Sequence, residues 1–163
     1  MDLQKENIIA AQARMKPKIE EIIPEYLVGE EKRALLDFLG FCSASGIKCA
    51  WSAANILKLS HKTKKTVGMI YIGKYPCGKA NITKGWWCTH IPVFDEVVLS
   101  EGMTGIIHRN VLPCGHGIKS CGGGKTVTIY GKEFSGVHGV LFKNPDDETL
   151  NCIKRNLEFV ING

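Results

Sequence analysis

The chain has 163 residues, 44% apolar and 23% charged, and its 21 basic against 16 acidic side chains leave a net charge of +5. That length suits one domain spanning 1–163, which buries roughly two thirds of the surface of its unfolded chain and needs no covalent staple. The composition excludes disorder and fibrous repeats, no apolar run approaches the roughly 18–20 residues that cross a bilayer, and the modest positive charge is thin for a dedicated nucleic-acid binder.

The first 23 residues are expected to form a helical arm, with Ile8, Ala11, Met15, Ile19, Ile22 and Ile23 on one face. Pro17 is costly inside a helix and comfortable at its first position, so the arm divides into helices over about 3–15 and 17–23. A stronger helix follows. Glu30 and Glu31 suit its positive N-terminal end, Leu35, Phe38, Leu39 and Cys42 form its buried stripe, and Gly46 closes it.

Beyond Gly46 the pattern reads as short strands at 47–51, 55–60, 66–72 and 85–91, with a basic turn at 61–65 and a loop at 74–84. The third strand is apolar on both faces and should be central. Residues 93–99 suit either type of element, and 104–110 read as helix. A glycine-rich loop at 112–125 leads to a strand at 126–130, with 139–142 as its candidate partner. In the last helix Asn144 caps, Pro145 takes the first position, and Leu150, Ile153, Leu157 and Val160 line the buried face. Runs of helices and strands segregated in this way predict an α+β domain. The expected architecture is an antiparallel sheet of about five to six strands, with N-terminal helices and a C-terminal helix packed mainly on one face.

The charges spread through residues 1–15 argue against a signal peptide, so a cytoplasmic, reducing location is expected. Seven cysteines, an odd number, then read as thiols or ligands before disulfides. The segment from Pro113 to Gly124 holds Cys114, His116 and Cys121 among glycines, a donor set that suits zinc. His138 can supply a fourth ligand, and so can His108, Cys88 or His90. The spacing lacks the second knuckle of a paired C-x-x-C site, and a plain glycine-rich loop with neighbouring thiols is the competing reading. No nearby Glu is placed as a base, which favours a closed structural site over a hydrolytic one.

Other readings are weaker. Lys119 and Lys125 could lower a thiol pKa for redox work, yet no C-x-x-C is present. Cys114 or Cys121 with His138 would make a nucleophile and base, though without a meaningful spacing. The run from Gly122 to Thr126 suggests a phosphate loop, but Lys119 stands where its first glycine belongs and a strand follows where a helix is required. On the strand at 85–91, Trp86, Cys88 and His90 share one face and Trp87 the other, so a pocket walled by Trp86 with His90 as its polar group is a candidate enzyme site. Lys58, His61, Lys62, Lys64 and Lys65 form a basic patch that could touch nucleic-acid phosphates or simply be a solvated turn.

Three stretches carry a resemblance: Trp51-x-x-x-Asn55-x-x-Lys58-Leu59, the run from Gly131 to Phe134, and Phe142-x-Asn144-Pro145-Asp146-x-Glu148-Thr149-Leu150. With the cysteine- and glycine-rich loop, they make residues 18–160 similar to a family of small clostridial-type bacterial proteins of unknown function. The resemblance implies an α+β fold and a bacterial cytoplasm, and brings no activity. It also implies a loop with more cysteines than the one here, where His116 and His138 stand as a changed or lost ligand set.

Overall fold

The computed structural model describes residues 19–53, 55–62, 64–73, 85–89, 95–113 and 126–163. The helix expected at 3–15 lies outside them. In chain order the elements are α1 (Ile19–Tyr26), α2 (Gly29–Ala44), β1 (Lys48–Ala53), β2 (Ile56–His61), β3 (Lys64–Ile72) and β4 (Trp86–Thr89). They continue with α3 (Asp95–Ser100), α4 (Thr104–Arg109), β5 (Val111–Pro113), β6 (Thr126–Ile129), β7 (Lys132–Ser135), β8 (Val137–Lys143) and α5 (Asp147–Asn162). Among these residues no helix is long and apolar enough to cross a membrane.

The helices follow their apolar stripes. In α1, Ile23 buries fully, as does Leu27, whose N–H closes on the Ile23 carbonyl at 2.8 Å, and the helix runs past its expected end and through Pro24. α2 buries Leu35, Phe38, Leu39 and Cys42 as its stripe predicts, and adds Ala34. It ends at Gly46, whose φ of +71° few other residues adopt. There the Ile47 N–H reaches the Cys42 carbonyl at 2.8 Å and the Gly46 N–H reaches Ser43 at 3.1 Å, which satisfies the last carbonyls.

Six strands form one antiparallel sheet in the order β1-β2-β3-β4-β8-β5, and β6 and β7 form a separate ribbon. Pairing places Trp51, Leu57, Ile70, Cys88 and Phe142 in one row across five strands. This row faces the helices, and its core takes in Ile23 of α1, Phe38 of α2, Val98 of α3, Ile107 of α4 and Ile153 of α5. The fold is therefore α+β, with helices packed on one face of an antiparallel sheet.

Four local expectations need correcting. The loop expected at 112–125 begins later, because Val111–Pro113 pairs with β8. The strand β6 pairs with β7, not with 139–142, because Tyr130 and Gly131 both have positive φ (46° and 76°) and close a two-residue hairpin. Residues 139–142 belong to β8, between β4 and β5. The cap of α5 is Asp146, whose side chain accepts the Thr149 N–H at 2.8 Å, while Asn144 lies outside the helix with other work to do. The basic turn is also tighter than 61–65, since His61 already pairs with Lys64.

Candidate functional site

The sheet topology gathers several of the candidate residues by chain position. β4 and β5 flank β8 and are both antiparallel to it, so they run in the same direction and leave the sheet at one end. The residues that follow those two exits in sequence are His90, after Thr89, and Cys114, after Pro113. β8 enters at that same end, and its register there is broken. Leu112 pairs with Gly139 and Pro113 with Val137, which leaves His138 as the extra residue of a β-bulge. Bulges interrupt pairing and are over-represented at sheet edges and beside functional sites. The β2–β3 turn, with Lys62 exposed, projects from this end too, because β3 is antiparallel to β4.

The positions of Cys114, His116, Cys121 and His90 lie outside the described residues, and His138 is described by its backbone. Among the described residues no group of three or more His, Cys, Asp or Glu is arranged to hold a metal ion.

Two proposed fourth ligands are otherwise engaged. His108 Nε2 is 2.7 Å from the Ile129 carbonyl oxygen, with the Phe134 ring 5.4 Å away, so it ties α4 to the β6–β7 ribbon. Cys88 is fully buried on the helix-facing side, and burial pushes its thiol pKa far up. Trp86, on the same side, is also fully buried and stacks on Phe38 with 5.9 Å between ring centroids. Its Nε1 has no hydrogen-bond partner. Trp86 and Cys88 thus serve as core, and the two surface cavities described below are lined by other residues.

Compared with family models, with curated proteins and with solved structures, the chain has no significant match. Its own geometry has to carry the functional argument.

The opposite sheet face holds a second, smaller cluster of Tyr71, Trp87 and Leu141, with Ile56 and Met69 against it. The alternation that divides Trp86 from Trp87 was legible in sequence; the lysine on Trp87 was not. Lys143 pairs across from Trp87 and sets its ammonium 5.2 Å from the ring centroid. Lys58 belongs to this face as well, half-buried opposite Met69. It sits four residues from Lys62, about 13 Å along a strand, so Lys58 and the turn do not form one compact patch. Lys64 and Lys65 are the first two residues of β3.

At the other end of the sheet, Asn144 is the residue that sequence reading misassigned. Its Oδ1 accepts the Trp86 N–H and its Nδ2 donates to Glu31, both at 2.8 Å. Its own N–H donates to the Trp86 carbonyl at 2.9 Å. A cavity of about 270 Å³ here is lined by Glu30, Glu31, Asn144 and Asp147 among others. Those carboxylates are committed: Arg33 bridges Glu30 and Asp147 at 2.8 and 2.9 Å, and Glu31 holds Asn144. A second surface cavity, of about 390 Å³, lies between α3 and α5 over Val97 and Phe159.

Proposed function

We propose that this chain is a small bacterial cytoplasmic binding domain whose Cys114–Cys121 segment, together with His138, holds a structural zinc ion. The observation that carries the reading is the convergence at one sheet end. β5 ends at Pro113, paired beside the bulge at His138, and Cys114 is the next residue in sequence. Thiolate and imidazole are the donors zinc prefers, and four such residues would fill a closed tetrahedral site. Zinc would supply the enthalpy that orders a glycine-rich segment with little apolar surface of its own, and would leave no open position for catalysis. The resemblance to clostridial-type proteins with cysteine-richer loops supports the same role, with imidazole replacing thiolate.

Elemental analysis of untagged protein purified without chelator tests the reading. About one zinc per chain is expected. It should be lost in a Cys114→Ser/Cys121→Ser double variant and reduced in His138→Ala. Absence of metal from the wild-type protein overturns the proposal.

A further inference from the structure

The cavity between α3 and α5 is an apolar groove with an acidic rim. Its apolar surface comes from Val97 of α3 and from Phe159 of α5, which is 40% exposed. Glu101, Arg155, Glu158 and Asn162 stand around them. The guanidinium of Arg155 is already engaged, 3.4 Å from Glu158. Glu101 is exposed and has no ion pair among the described residues. α5 also ends here, and its last turn carries no basic side chain to offset the partial negative charge of a helix C-terminus. The groove therefore offers apolar surface and a negative potential to whatever fills it.

The chain itself holds a segment of matching chemistry. Eighteen residues precede Ile19, the first residue of α1, and among them four basic side chains outnumber two acidic ones. On a helix, at about 100° per residue, Ile8, Ala11 and Met15 share one face. Lys5 and Arg14 border that face on either side, while Asp2 and Glu6 fall opposite it. An apolar centre with basic flanks and an acidic back complements the groove. Eighteen residues span about 27 Å as a helix and up to roughly 60 Å extended, enough to cross a domain of this size.

We propose that residues 1–18 dock in the α3–α5 groove of their own chain. Ile8, Ala11 and Met15 lie against Val97 and Phe159, and the basic flanks lie beside Glu101 and Glu158. Burial of the apolar stripe supplies most of the attraction, while the exposed charges orient the segment, so added salt weakens docking only in part.

The test is hydrogen–deuterium exchange of the full chain, read by mass spectrometry on peptides covering 4–15. In the wild type these amides should exchange at least about tenfold more slowly than an unstructured peptide. Phe159→Glu should bring them close to the unstructured rate, and Phe159→Leu should keep them protected. Glu101→Lys, at an exposed position that leaves folding intact, should speed their exchange roughly threefold. In the reverse direction, Ile8→Ser/Met15→Ser should speed exchange in peptides covering α3. Circular dichroism checks that each variant is folded, and light scattering gives its mass. Unprotected amides in the wild type, or protection that survives both Phe159→Glu and Glu101→Lys, overturns the proposal. Protection that grows with protein concentration alongside a dimer mass also overturns it, and assigns the groove to a second copy of the chain. None of these readouts depends on metal content, so the zinc reading stands or falls separately.

Discussion

Where β8 runs toward α5, Asn144 ties β4, β8 and α2 together, with both polar ends of its side chain and its backbone N–H engaged. At the far end of the same strand the pairing breaks around His138, and β4 and β5 release the chain toward His90 and Cys114. The contrast teaches where to look for function. A polar residue whose hydrogen bonds all go to its own fold is part of the frame. A broken ladder beside candidate donors is where a ligand is worth testing for.

The largest expected effect sits at the closed end. Gly85 has φ +93° and is so near Asn144 that an added Cβ would overlap the carboxamide. Gly85→Ala therefore strains the backbone and also displaces the group that accepts the Trp86 N–H. A loss of roughly 2–4 kcal/mol is expected, read from urea unfolding. A loss below about 0.5 kcal/mol would mean that Asn144 does not hold this end.

A smaller effect is expected at the α5 cap. The hydrogen bond from Thr149 holds the Asp146 carboxyl below its ordinary pKa of 3.8. Because the folded value is the lower one, the cap's contribution is complete above 3.8 and disappears as pH falls through the folded value. Asp146→Ala should cost about 1 kcal/mol at neutral pH, and its difference from wild type should shrink in acid. A difference that grows in acid would break the assignment.

Local periodicity made much of this frame legible. The stripe of α2, the buried line of α5 and the first four strands follow from spacing alone, because each buries a face that its own residues mark. The misses have a common cause. β5 and β7 have three and four residues, too short to show a period, and exist because a partner strand is present. The confusion over capping arose between two good cap residues. The choice was settled by distant groups, Trp86 and Glu31, which draw Asn144 away from the helix. The candidate ligands could be listed from sequence, but their shared end depends on β8 inserting between β4 and β5, which no spacing encodes.

The smallest effect on stability is expected at the open end, and it sharpens the comparison. Lys62 is exposed in the β2–β3 turn. Lys62→Glu should change unfolding free energy by no more than about 0.5 kcal/mol, because no core contact is lost. The same variant separates a solvated turn from a phosphate-binding one. Lys58 is half-buried along the strand, and the net charge is only +5, so the expected result is weak nucleic-acid binding that the variant leaves nearly unchanged. Measured association that falls steeply with salt, and drops further in Lys62→Glu, would assign this end to a nucleic-acid partner instead. The bulge at His138 would then border that contact surface, and any zinc there would serve to shape it.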